Sequence, residues 1–85
     1  MAPDTSQIKA IVKEYILLNC LQNKQISNIT DSTPLISGRL LDSISTIQLV
    51  GFLEEKFNVE FEAHEVDKDN FETIEIISQF VKKKL

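Results

Sequence analysis

The chain has a single cysteine and a single histidine among 85 residues, and that scarcity closes several chemistries at once. Cys20 has no second thiol with which to form an internal disulfide, and Cys20 and His64 together are too small a set for a metal site. A lone thiol near a helix end is expected to be buried or half-buried, and His64 is expected at the surface. Long apolar runs are also missing. Ile16-Leu17-Leu18 and Ile76-Ile77 fall far short of the ~20 residues that a bilayer span requires. Charges at Asp4, Lys9, Lys13 and Glu14 argue against a secretory leader, so a cytoplasmic protein is expected. Bases are outnumbered, nine against thirteen acids, for a net charge of −4 and a pI near 4.8. Such a field repels phosphate backbones and makes nucleic acid a poor partner. Strand-like alternation, internal repeats and low-complexity segments are not found either.

What is present is the balance of a soluble globular protein, with 42% hydrophobic and 26% charged residues. A chain of this length buries only a modest core, so residues 1–85 read as one domain without a large internal substrate cavity. Asp4-Thr5-Ser6 offers N-caps, and Ile8, Ile11, Val12, Tyr15 and Leu18 recur at helical spacing to about residue 20. From Leu21 to Leu41 the periodicity fades, and Asn, Ser, Thr, Pro34 and Gly38 mark a loop. It is long for a compact domain, which points to a functional reason. Its apolar residues Ile26, Ile29, Leu35, Ile36, Leu40 and Leu41 should pack down on the helices.

A second helix is expected from Asp42-Ser43 to about Phe57, ended by Asn58. Ala63 to Asp67 suits one or two helical turns. A last helix runs from about Thr73 to Lys84, with Ile74, Ile77, Val81 and Leu85 on one face and Lys82, Lys83 and Lys84 at its negative dipole end. The expected fold is all-α, a four-helix bundle with three longer helices, one short one and a long loop between helices 1 and 2. Asp67 to Glu72 alternates carboxylates like a calcium loop. It lacks the glycine at the sixth position and the glutamate at the twelfth, where Ser78 stands, so it reads as a solvated turn. Thr30, Ser32 and Thr33 read as polar loop residues.

On a helical wheel at about 100° per residue, Leu49, Val50, Leu53 and Phe57 share one arc, the core face. Ile44, Ile47 and Gly51 fall on a second stripe. A glycine inside a helix costs about 1 kcal/mol against alanine, yet it lets another molecule approach. Two readings stay open at this point. Either Ser43 or Asp42 is an ordinary cap with Ile44 and Ile47 packed under the loop, or the stripe meets a partner. Ser43 stands at the helix N-terminus, where unpaired N–H groups and the dipole favour an attached phosphate. No catalytic base accompanies it, and nothing resembles a nucleophile elbow. The serine would need activation by another protein.

Leu40-Leu41-Asp42-Ser43-Ile44 resembles the attachment motif of acyl and peptidyl carrier proteins, in which Asp-Ser followed by Leu or Ile opens the second helix. Asp31 to Leu35 resembles the preceding loop, Leu49 to Phe57 the second helix, and Asn70-Phe71-Glu72-Thr73-Ile74 the start of the fourth. The likeness spans about Ile8 to Val81. It implies a non-catalytic carrier whose Ser43 receives 4′-phosphopantetheine from coenzyme A through a Mg²⁺-dependent phosphopantetheinyl transferase. Acyl or aminoacyl thioesters would be loaded by an activating ligase and passed to a downstream transferase or synthase. The pathway would be fatty-acid, polyketide, nonribosomal-peptide or related biosynthesis, with the carrier acting as a monomer. Asp42 would be read by the transferase. Ile44, Ile47, Gly51, Glu54 and Glu55 would meet partner enzymes. Ser45 and Gln48 stand where carriers of fatty-acid synthesis commonly have acids, and the Pro34-Leu35-Ile36 loop looks more like carriers serving adenylating enzymes, amino-acid carriers included. The competing reading is an unmodified helical interaction module using Ile44, Ile47 and Gly51 as a docking patch.

Overall fold

A computed structural model describes residues 3–20, without the Cys20 side chain, and residues 29–85. Its first helix, α1, spans Thr5–Tyr15 and is opened by a reciprocal capping box. Gln7 donates its N–H to Asp4 Oδ1 at 2.8 Å, and Asp4 donates its own to Gln7 Oε1 at 2.9 Å. Ile8 and Val12 are fully buried. At Ile16 the winding loosens into a π-helical segment, Ile16–Cys20. Wider winding breaks the 3.6-residue period, which corrects one sequence expectation: Ile16 is buried at the inner position, while Leu18 is 57% exposed. The expected burial of the Cys20 thiol and the loop residues 21–28, Ile26 included, lie outside the described residues.

The remaining loop residues do pack down. Ile29, Leu35, Leu40 and Leu41 are buried, and Ile36 is half-buried. Helix α2 then spans Ser43–Phe57, with Asp42 as N-cap and Asn58 in the left-handed conformation at its end (φ 56°). Leu49, Val50, Leu53 and Phe57 are buried, as the wheel places them.

Beyond α2, Ala63–Glu65 forms one turn of 3₁₀ helix, within the one or two helical turns expected there. The structure corrects the sequence reading at the next stretch: a short helix, α3, spans Lys68–Phe71, within residues expected to form a solvated turn. Asp67 makes the difference, because its carboxylate accepts the Asn70 N–H at 3.1 Å and caps the helix. Phe71, fully buried, anchors it.

Helix α4 spans Ile74–Lys84 and is capped by Thr73, whose hydroxyl accepts the Ile76 N–H at 3.1 Å. Ile74, Ile77 and Val81 are fully buried, but Leu85 is 45% exposed because the helix has already ended. Ser78, also buried, satisfies its hydroxyl by donating to the Glu75 carbonyl at 2.9 Å. Among the described residues the architecture is thus all-α, with three longer helices and one short. Helix α1 packs most extensively on α4, and Lys9 bridges Glu75 of α4 and Asp31 of the loop. Phe61 and Phe71 pack edge-on or tilted against each other and against Phe80 of α4, with Lys84 Nζ about 5 Å from the Phe61 and Phe80 rings.

Candidate attachment site and its groove

The approach to Ser43 is a tight turn. Leu35 folds its carbonyl back to accept the N–H groups of both Leu40 (2.8 Å) and Leu41 (2.9 Å), and Arg39 donates to the Ile36 carbonyl at 3.0 Å. Arg39 takes a left-handed backbone (φ 62°) to complete the reversal. At Gly38 a Cβ would lie 2.2 Å from the Pro34 carbonyl oxygen, so only glycine fits. The turn sends Leu40 and Leu41 into the core and leaves Asp42 at the helix start.

Asp42 holds that start through two groups. Its Oδ1 accepts the Ser45 N–H at 2.7 Å, and its carbonyl accepts the Thr46 N–H at 2.9 Å and the Thr46 hydroxyl at 2.7 Å. Thr46 is buried, a position the wheel reading passes over because a threonine carries little apolar signal. Ser43 is exposed in the first turn, where backbone N–H groups and the dipole offer positive potential. His64 is also exposed, with its Nδ1 3.4 Å from Glu62, and it does not line the groove beside the serine.

That groove has a volume of about 710 Å³ and is open to solvent. Ile36 and Leu41 of the loop line it, together with Thr46, Ile47 and Val50 of α2, Ala63, Val66 and Asp67 from the segment leading into α3, and Lys68 at the start of α3. Asp42 and Ser43 belong to the same lining. A mostly apolar trough therefore adjoins the serine.

Of the other predicted residues, Ile44 and Ile47 are 69% and 66% exposed rather than packed under the loop. A Cβ built on Gly51 would meet nothing within 4 Å, so the stripe is open along its length. Glu54 and Glu55 part company: Glu55 is exposed, whereas Glu54 is half-buried and its Oε2 accepts the Phe61 N–H at 2.9 Å.

Sequence reasoning missed Glu72. Its Oε1 accepts the N–H groups of Ile36 and Ser37, each at 2.9 Å and more than thirty residues away in sequence. The N–H and hydroxyl of Ser37 foremost, with Ile36 and Lys68 adding, hold this carboxyl below the ordinary glutamate range against the opposing pull of burial. No periodicity could have announced a contact made by one polar side chain with a distant backbone.

No family model matches the chain. It is 39% identical over 64 residues to the D-alanyl carrier protein of Leuconostoc citreum (strain KM20), a match covering 73% of this chain and 81% of that protein. A likeness of that extent, joined to the all-helical fold, makes this chain a member of the carrier protein family of acyl and peptidyl carriers.

Proposed function

We propose that Ser43 is the attachment point of a 4′-phosphopantetheine arm and that the chain shuttles a small aminoacyl or acyl group between enzymes. The observation that carries this reading is the exposed Ser43 hydroxyl in the first turn of α2, next to the Asp42 cap and beside an apolar groove. These residues fit the group. The helix start favours a phosphodiester, and the groove beside it, of about 710 Å³ with a mostly apolar lining, offers room for part of a flexible arm. In the attachment step the Ser43 oxygen bonds to the pantetheine-side phosphorus of coenzyme A. The pyrophosphate P–O bond breaks, 3′,5′-ADP leaves, and the serine proton passes to a base of the phosphopantetheinyl transferase with Mg²⁺. Once attached, the arm would supply a thiol able to carry the cargo as a thioester, reactive enough for transfer without further activation.

Asp42 is the residue next to the reacting hydroxyl and is the contact by which the transferase reads the site. The name of the relative points to an amino acid as cargo, and the Pro34-Leu35-Ile36 loop, which resembles that of carriers serving adenylating enzymes, agrees with a carrier loaded by an adenylating ligase. Ile44, Ile47 and Gly51 form the exposed ridge that meets this ligase and the downstream transferase or synthase, with Glu55 at its end; Glu54 contributes less, being engaged with Phe61. Among the described residues no helix is long and apolar enough to cross a membrane, and we place the working protein in the cytoplasm as a monomer.

Intact-mass measurement tests the reading. Incubated with coenzyme A, Mg²⁺ and a broad-specificity transferase, the chain should gain one phosphopantetheine, mapped to Ser43. Ser43→Ala should gain none, with Ser37 and Ser45 unable to substitute. A folded wild type that gains no mass would instead favour an unmodified interaction module, using the same Ile44–Ile47–Gly51 ridge.

A further inference from the structure

One side chain ties the loop before Ser43 to the helices beyond it. Glu72 sits between the end of α3 at Phe71 and the cap of α4 at Thr73. Its carbonyl accepts the Leu35 N–H at 2.7 Å, and its Oε1 accepts those of Ile36 and Ser37 at 2.9 Å each. Three consecutive loop amides therefore end on one residue. The other carboxylate oxygen lies 3.8 Å from Lys68 Nζ in α3.

The position of this tie matters for the groove. Ile36 and Lys68 both belong to its lining, and they come from different stretches of chain. Glu72 binds the backbone of the first and faces the ammonium of the second. Its side chain is only 18% exposed, which shields the bonds from competing water. From Leu35 the connection continues through the carbonyl that accepts Leu40 and Leu41, and the next residue is Asp42. A short hydrogen-bonded path thus runs from Glu72 to the presented serine.

We propose that Glu72 is a positioning residue for Ser43: by fixing the 35–37 turn against α3 it sets the width of the groove and the presentation of Asp42 and Ser43. The inference rests on Ser43 being the modified residue. Without the carboxylate, the Ile36 amide loses its acceptor in a half-buried place and the exposed Ser37 amide turns to water, so the turn loosens where it meets the groove. Ile36 moves with it, and the start of α2 loses one of its supports.

The test compares Glu72→Ala, Glu72→Gln and Val12→Ala with wild type, using initial rates of modification by mass and amide exchange at Ile36, Ser37, Leu40 and Leu41. Glu72→Ala should exchange faster at those four amides and lose about tenfold or more in kcat/KM for modification. Glu72→Gln keeps an oxygen acceptor on a side chain of equal length and should rescue the rate to within about threefold. Val12→Ala truncates the core in α1, away from the groove, and should be modified at the wild-type rate despite its lower unfolding midpoint. Wild-type kcat/KM in Glu72→Ala, or an equal loss in Val12→Ala, would overturn the positioning role. Should the wild type itself gain no mass, the Ser43 reading fails, and unchanged exchange at the four amides in Glu72→Ala would then reject the Glu72 tie on its own.

Discussion

The hydroxyl of Thr46 donates to the carbonyl of Asp42 at 2.7 Å, while the Asp42 carboxylate caps the Ser45 N–H, also at 2.7 Å. The start of α2 is therefore held by backbone and side chain separately, so the carboxylate can be altered without dismantling the turn.

Asp42→Asn retains the cap, because asparagine and aspartate are comparable N-caps, whereas Asp42→Ala loses ~1 kcal/mol. If the carboxylate is the contact read by the transferase, both variants should gain the arm much more slowly than wild type, although only alanine lowers the unfolding midpoint. An asparagine variant modified at the wild-type rate would reduce Asp42 to a cap.

Ile47→Glu and Leu53→Ala should separate docking from packing. Ile47 is 66% exposed and Leu53 fully buried. The first variant should unfold at the wild-type temperature and deliver its cargo poorly to partner enzymes; the second should lose about 2–5 kcal/mol. Equal thermal shifts would contradict the two-faced description of α2.

The turn before the motif makes a sharper demand. Gly38→Ala places a methyl group 2.2 Å from the Pro34 carbonyl oxygen, and the forced shift should cost about 1–3 kcal/mol. Arg39→Gly should act in the opposite sense, by at most ~1 kcal/mol, because φ 62° is free of strain for glycine. Urea titration of both variants would show the two signs, and a neutral Gly38→Ala would mean that the loop relaxes around the methyl.

Two carboxyls link stability to pH. The Glu62 N–H first, and Lys84 second, hold Glu65 below the ordinary glutamate range, and Ser37 does the same for Glu72. A depressed folded pKa means the contribution is complete above the ordinary glutamate value and is lost as pH falls through the folded one. The urea midpoint should therefore hold from neutral pH down to the ordinary glutamate range and drop below it. Glu65→Gln and Glu72→Gln should each flatten that drop, and parallel curves for wild type and both variants would show that other groups carry the acid transition.

What the sequence reveals follows the reach of each interaction. The caps at Asp42 and Thr73, the left-handed Asn58 and the core arc of α2 depend on residues within a turn or two of one another, and spacing alone displays them. Leu18 is misplaced by spacing because the widened winding at Ile16–Cys20 has no signature in a run of apolar residues. Helix α3 stands where composition suggests a solvated turn because Asp67, which reads as part of a charged turn, is in fact a cap. Glu72 and Thr46 are invisible for a different reason. Their roles are polar contacts with particular backbone groups, one of them far along the chain, and hydrophobic patterning does not register these.

The packing of α1 on α4 has a consequence for how the protein is made. These helices come from opposite ends of the described chain, yet Ile8 and Val12 share one core with Ile74, Ile77 and Val81. Closing so long a loop costs entropy before any contact repays it. A nascent chain leaving the ribosome therefore has α1 held only by its contacts with earlier-made segments, such as Tyr15 stacked on Phe52 of α2, until α4 has emerged, and synthesis halted before Ile74 releases a polypeptide without one wall of its core, open to chaperones and proteases rather than to the enzymes it serves.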